Sequence, residues 1–244
     1  MAQKYYVKPF HCNPLQPCYC GSNSPFGECC AAQGEQRQPP RGVLVVHNFL
    51  ALPECRRLVR YAQKQKANWL MVRDEEQSTP KKFVEKRDPG RVTQQVEMDK
   101  HQVFLNQTVR RALVDVATRT FGAADFFETP YLLRYRVGGK YGEHADSETY
   151  DPEKKLFYRV ADRDISILIY LNDDYVGGEL TFRRLNYTYH PVAGDLVMFP
   201  SGNLFLHQAL SVSRGTKYAL VSWASLKSSP RLFPGASRWP PIRV

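Results

Sequence analysis

The sequence predicts an α+β chain: a double-stranded β-helix (jelly-roll) barrel buttressed by helices, behind a small cysteine-rich module. Three observations carry that expectation. Two amphipathic helical stretches occupy the first half, five short β-branched or aromatic segments crowd the second, and five of the six cysteines fall in the first thirty residues. At 244 residues the chain can bury a full core. Its 43% hydrophobic and 24% charged residues are the balance of a globular protein.

In chain order, residues 1–34 are expected to form the module. Residues 35–41, within "AAQGEQRQPPRG", form a polar, glutamine-rich linker ended by two prolines. The main domain is expected over 42–226. It opens on "GVLVVHNFL", an apolar run suited to a buried strand, with His47 inside it. In "LPECRRLVRYAQKQ", Leu52, Cys55, Leu58, Val59 and Ala62 recur at helical spacing with a proline in the first turn. From Asn68 to Arg91 the text is polar and lacks a period, as in a loop or mobile cover. "NQTVRRALVDVATRTFG" predicts a second helix with Val109, Leu113, Val116 and Ala117 on one side and a C-terminal glycine. "YLLRYRV", "ISILIYLN", "GELTF", "DLVMFP" and "KYALVSWAS" predict strands, divided by the turn signals "NDD", "GG" and "AGD". Residues 227–244 are proline-rich and basic, as in an extended tail.

The net charge of +10 admits an acidic partner, nucleic acid included. The cations are dispersed and do not interleave with aromatics, so a basic surface without a designated partner is the favoured reading. No run approaches the ~18 apolar residues of a membrane helix. "MAQKYYVKPF" has no apolar segment after its lysine, so a reducing cytoplasmic setting is expected and a membrane partner is not.

The chemistry gathers around "YGEHADSETY", residues 141–150. Side chains two apart on a strand point to the same side, so His144 and Asp146 can reach one ion. An iron site of the two-histidine, one-carboxylate type takes a third ligand and leaves positions open for substrate and dioxygen. His207, in "NLFLHQALSV", is the natural third ligand; His11, His47, His101 and His190 are expected to be structural or exposed. Glu143 alternates with the ligands and should face solvent, and Glu148 is expected to be a loop charge. Lys217, ten residues after His207, opens an apolar strand. Pointed into a barrel it needs an anionic partner, such as the far carboxylate of a 2-oxo acid.

Three stretches carry a resemblance: "RYRVGGKYGEHADSE", "DRDISILIYLNDDYVGGELTF" and "AGDLVMFPSGNLFLHQALSVSRGTKYALVSW". Over about 42–225 the chain resembles the prolyl 4-hydroxylase branch of the iron(II) and 2-oxoglutarate-dependent dioxygenases. "YLNDDYVGGELTF" is also similar to prolyl 3-hydroxylases, which leaves the ring carbon open. The resemblance implies a jelly-roll barrel and makes His144, Asp146 and His207 iron ligands. It implies Lys217 on the distal carboxylate of 2-oxoglutarate, with Tyr135 donating a hydroxyl there. Tyr141, Arg163 and Trp223 match positions that handle a peptidyl-proline. Ser225 stands two residues after Trp223, where some prolyl 4-hydroxylases carry a histidine. The implied reaction consumes 2-oxoglutarate and dioxygen, with ascorbate as reductant, and yields succinate and carbon dioxide.

In "CYCGSNSPFGECC", Cys18, Cys20, Cys29 and Cys30 place four thiols within thirteen residues, a spacing that suits one tetrahedral zinc ion better than disulfides. The segment resembles the small SEC-C zinc module. Cys12 is left as a spare thiol and Cys55 as core. Such a module folds around its metal and is expected to dock a partner. The function expected of the whole is hydroxylation of a protein or peptide, most readily at proline and in a proline-rich setting. The alternatives are a non-catalytic zinc adaptor that binds protein or nucleic acid, and an oxygenase acting on nucleic acid or a free amino acid.

Overall fold

Alternation along the central strands divides their side chains between two apolar layers, as a sheet covered on both faces requires. Ile165, Ile167 and Ile169 of the strand Ile165–Tyr170, and Leu196 and Met198 of Leu196–Pro200, join one buried cluster with the helices. Tyr170, Val197 and Phe199 point the other way, into a second cluster. The strand Lys217–Leu226 follows the same rule: Tyr218, Leu220 and Ala224 face the helices, whereas Ala219, Val221 and Trp223 face the barrel interior.

The computed structural model describes residues 4–9, 14–18, 22–30, 38–73, 85–232 and 241–244. Its larger sheet runs Leu44–Val46, Leu196–Pro200, Ile165–Tyr170, Lys217–Leu226, Tyr131–Tyr135, Gln94–Val96, Ala67–Trp69, with neighbouring strands antiparallel. A five-stranded sheet faces it in the order Tyr187–Tyr189, Leu180–Phe182, His207–Ala209, Lys140–His144, Arg91–Val92. Leu180, Phe182, Tyr187 and Tyr189 from this sheet pack on Val197, Phe199 and Ala219 from the other, which closes the jelly roll. Two helical segments, Leu52–Gln63 and Gln102–Arg111, cover the outer face of the larger sheet through Cys55, Leu58, Ala62, Leu105 and Val109. Among the described residues, no helix is long and apolar enough to cross a membrane.

Several expectations need correction. The strand expected over "GVLVVHNFL" is only Leu44–Val46; His47 is exposed beyond it, its Nδ1 2.7 Å from the Asp195 carboxylate. The second helix begins at Gln102, four residues early, because Leu105 extends its buried face. It then widens to a π-helical stretch, Ala112–Ala117, where the Thr118 hydroxyl donates to the Leu113 carbonyl at 2.9 Å. The 68–91 segment is not all loop: Ala67–Trp69, Val72–Arg73, Glu85–Lys86 and Arg91–Val92 are short strands, and 74–84 lie outside the described residues. The tail is pinned at its end, where Ile242–Arg243 pairs with Ala124–Phe127; residues 233–240 lie outside the described set. Part of the linker, 35–37, also lies outside it, as do His11, Cys12 and Cys20.

Near the N-terminus, Tyr5–Val7 adds to Leu156–Arg159, which pairs in turn with Glu148–Asp151. This small sheet stands apart from the two barrel sheets. Leu220, 1% exposed, joins the helices to the larger sheet, so Leu220→Ala should cost about 2–5 kcal/mol in urea unfolding followed by tryptophan fluorescence. Val137→Ala, at a 66% exposed site, should stay within about 0.5 kcal/mol, and equal losses would refute this placement of the core.

Candidate active site

The antiparallel pairing of Lys140–His144 with His207–Ala209 sets His144 directly opposite His207. Their rings lie 4.3 Å apart, held by Tyr141 stacked on His144 at 3.6 Å and Phe199 edge-on to His207 at 4.6 Å. His144 Nδ1 lies 2.8 Å from the Gly142 carbonyl, and His207 Nδ1 lies 3.0 Å from the Phe205 carbonyl. A carbonyl only accepts, so each Nδ1 carries the proton and each Nε2 presents a lone pair.

Asp146 completes the group, but not by strand alternation. The strand ends at His144, and Asp146 sits on the bend that follows, fully turned inward. Its Oδ1 lies 3.4 Å from His144 Nε2 and its Oδ2 3.6 Å from His207 Nε2. Ser166 donates to Oδ2 at 2.6 Å and Ser201 lies 2.8 Å from Ser166, which orients the carboxylate. Burial raises the Asp146 pKa, yet His207 and His144 outweigh it and hold the carboxyl well below its ordinary range. Burial and the neighbouring His144 push His207 down to about 4. Asp146 is therefore a carboxylate and His207 an unprotonated imidazole at neutral pH. One ligand atom from each residue lies within 4.8 Å of the other two. Octahedral neighbours around an ion at ~2.1 Å stand about 3 Å apart, so these three residues could hold a divalent cation after a small closure.

Lys217 lies deeper in the barrel, 2% exposed, beside Tyr135 as its register partner. Its ammonium donates to the Gly178 carbonyl at 2.6 Å and lies 5.2 and 5.0 Å from the rings of Tyr135 and Tyr170. Burial pushes its pKa down to about 7 against the pull of Glu179. The buried hydroxyls of Tyr170 and Tyr175 have no partner among the described residues. A buried ammonium and two unsatisfied phenols fit a bound carboxylate. Gly177, which precedes this carbonyl, has φ +80°, and a Cβ there would come within 2.2 Å of the Ser211 carbonyl. Only glycine permits that turn.

A cavity of about 790 Å³ holds Asp146 on its wall with Tyr131, Tyr141, Trp223 and Ser225. Arg163 lies over the Trp223 ring at 3.9 Å, donates to the Asp146 carbonyl at 3.2 Å, and forms a two-pronged pair with Glu128 at 2.5 and 2.7 Å. Trp69, Leu70, Met71 and Glu85 of the expected cover also line this cavity. Tyr135, Tyr141, Arg163, Lys217 and Trp223 are thus all brought to the barrel mouth or interior. Glu143 is exposed, as expected. Glu148 is not a free loop charge: it accepts bonds from the Asn203 backbone and side chain at 2.9 and 2.7 Å. Sequence reasoning missed Glu128, Ser166 and Asn203, whose partners are distant in sequence. Near the N-terminus, the sulfurs of Cys18, Cys29 and Cys30 lie within 4.8 Å of one another.

Residues 130–225, which contain the triad and Lys217, match the 2OG-Fe(II) oxygenase superfamily. The likeness is confined to that segment, about two fifths of the chain. A PKHD-type hydroxylase of Hyphomonas neptunium is 42% identical over 101 residues, 39% of this chain and 42% of that one. Mouse prolyl 3-hydroxylase 3 is 38% identical over 89 residues, 33% of this chain and 12% of its own length. The matched stretch therefore spans less than half of either relative. The fold is shared with the viral collagen prolyl hydroxylase of Paramecium Bursaria Chlorella virus-1, TM-score 0.52 at 18% identity, over 76% of this chain and 97% of that one. It is shared also with a Trichoplax adhaerens prolyl hydroxylase in complex with a hypoxia inducible factor peptide fragment, TM-score 0.55 at 15% identity, over 78% and 88%.

If Ser166 orients the carboxylate of the triad, Ser166→Ala should weaken Mn(II) binding 10- to 100-fold with the fold intact. Titration followed by electron paramagnetic resonance measures this. Unchanged affinity would show that Asp146 needs no such support.

Proposed function

We propose that the chain is an iron(II)- and 2-oxoglutarate-dependent dioxygenase that hydroxylates a protein or peptide, with a prolyl ring as the favoured target. One observation carries the reading: a His-Asp-His triad with both Nε2 atoms presented inward shares a barrel with a buried lysine that has no ion pair among the described residues. Relatives named prolyl 3-hydroxylase and PKHD-type hydroxylase support the prolyl target. The balanced reaction converts substrate C–H, dioxygen and 2-oxoglutarate to C–OH, succinate and carbon dioxide.

His144, Asp146 and His207 would hold Fe(II), which supplies the activation of dioxygen that no side chain provides. Lys217 would grip the distal carboxylate of 2-oxoglutarate, with the Tyr135 hydroxyl beside it. On the cavity side, Trp223 and Tyr141 would form apolar walls for a ring substrate. Arg163, already neutralised by Glu128, would present its remaining N–H groups to the substrate's carbonyls without demanding a negative charge. The intact set weighs against a lapsed enzyme serving only as an adaptor, and the dispersed cations weigh against nucleic acid. We extend the reading to ascorbate as reductant and to a cytoplasmic setting, which keeps Fe(II) and thiols reduced. Cys18, Cys29 and Cys30, joined by Cys20 from outside the described residues, would bind Zn(II). Thiolates around zinc at ~2.3 Å stand about 3.8 Å apart, within reach of the observed cluster.

Incubation with Fe(II), ascorbate and 2-oxoglutarate, with and without proline-containing peptides, tests the reading by succinate release and a one-oxygen mass gain. No succinate from an iron-loaded protein would overturn it. The lysine makes a second expectation. Its depressed pKa means that the unfolded chain holds more protons between about 7 and the ordinary 10.5, so cosubstrate-free stability rises with pH across that window. Binding of 2-oxoglutarate requires the ammonium and takes up a proton above about 7, so affinity should fall about tenfold per pH unit there. Lys217→Met should weaken it roughly 10- to 150-fold at pH 7 and abolish that slope, as read by calorimetry. A flat profile in the wild type would contradict the assignment.

A further inference from the structure

The cysteine cluster lies close to the active-site barrel, and its contacts differ from those of a tethered recruiting module. Its apolar residues do not form a core of their own. Cys18, Phe26 and Cys30, each buried, belong to the same cluster as Phe182 and Phe199, the rings that pack on His207. Within the segment, the Pro17–Pro25 bridge and the bonds Cys18 N–H to Ser24 O and Phe26 N–H to Gln16 O make a tight hairpin that brings the sulfurs together. Ser22 Oγ lies 3.2 Å from Cys29 Sγ.

Just upstream, residues 4–9 form a strap. Tyr5–Val7 pairs with Leu156–Arg159 in the register Tyr6 opposite Tyr158. The Tyr6 hydroxyl donates to Asp151 at 3.1 Å, and Lys4 lies 3.7 Å from the same carboxylate. Pro9 then walls a second cavity, of about 760 Å³, whose other sides include His144, Tyr141, Tyr150 and Phe157. Asn203 knots these parts together. Its side-chain amide donates to the Lys8 carbonyl at 3.3 Å and to Glu148 at 2.7 Å. Glu148 stands two residues after Asp146, and Asn203 opens the turn Asn203–Phe205 whose last carbonyl holds His207 Nδ1. One amide thus ties the strap to both segments that carry iron ligands.

A three-residue strand is marginal on its own, and a cysteine hairpin described over only 14–18 and 22–30 is too small to fold without a staple. We propose that a thiolate-bound divalent zinc ion at Cys18, Cys29 and Cys30 is that staple. By anchoring the hairpin on the barrel it holds the adjoining strap as a wall beside His144 and keeps Asn203 in place between the ligand segments. This deepens the zinc reading given above and replaces partner recruitment with an internal role: the soft-metal site supports the hard-metal site. The segments involved are far apart in sequence but share one apolar cluster and one hydrogen-bonding side chain.

The test uses the full chain and needs no turnover, so it stands or falls separately from the hydroxylase reading. Zinc content is measured before and after thiol-directed release with a mercurial and a chromogenic chelator. Two readouts follow: hydrogen exchange of the Leu156–Arg159 amides, and Mn(II) affinity in the presence of 2-oxoglutarate, a hard cation that favours the His-Asp-His site. The expected result is one zinc per chain, retained in His144→Ala and lost in the Cys29→Ser/Cys30→Ser double variant. Its release should speed exchange in Leu156–Arg159 and weaken Mn(II) about tenfold. Asn203→Ala should reproduce the Mn(II) loss with zinc still bound, which keeps the proposal testable if the cysteine variant fails to fold. Absence of zinc from the purified chain would overturn the proposal. Zinc release that changes neither exchange nor Mn(II) affinity would also overturn it, and would return the module to a recruiting role.

Discussion

The register that sets His144 opposite His207 is the constraint on which the rest of the site depends. A slip of one residue along either strand would turn that strand's imidazole to the opposite face. The register is held from several directions. Leu180 and Thr181 pair His207–Ala209 on its other edge, and Lys140 and Tyr141 pair with Val92 and Arg91. Phe182 and Phe199 fill the space behind His207. The two backbone carbonyls bonded to Nδ1 belong to the same segments as the histidines they orient, two residues upstream in each case. Strand pairing, ring orientation and tautomer are therefore one local device used twice.

Charge is distributed around this device unequally. Arg163 is satisfied by Glu128 and by the Asp146 carbonyl, so it enters the cavity as a neutralised, shaped donor. Lys217 is buried more deeply and has a carbonyl as its near partner, with Glu179 acting only at a distance. Of these two cations, the lysine is the one that gains by receiving an anion. On the proposed reading, this asymmetry would separate a charged cosubstrate, drawn to the interior, from a neutral peptide in the cavity lined by Trp223, Tyr141 and Tyr131.

Much of the barrel was legible because buried antiparallel strands advertise themselves by alternation and by the turns between them. His144, His207 and Lys217 could be read because each lies at one end of a strand. What sequence concealed is what only tertiary structure creates. Asp146 reaches the ion from a bend, not from strand alternation, and nothing local announces that bend. Glu128 meets Arg163 across 35 residues and Asn203 meets Lys8 across 195, separations at which no spacing rule operates. The polar text of 68–91 hid short edge strands because they are two or three residues long and mostly unburied on one face. The C-terminal strand was masked by its prolines, and the early start of the second helix by the charged residues around His101.

The most direct test of the account is anaerobic assembly of the site, watched by visible absorption. Fe(II) chelated by a 2-oxo acid develops a charge-transfer band that neither component shows alone. The wild-type chain should develop this band with Fe(II) and 2-oxoglutarate at about one iron per chain. The single variant His207→Ala should remain folded and lose it, because the register then presents only one imidazole. A folded wild-type protein that never develops the band, or a His207→Ala variant that keeps it at full strength, would contradict the claim that the paired histidines and Asp146 form the iron site.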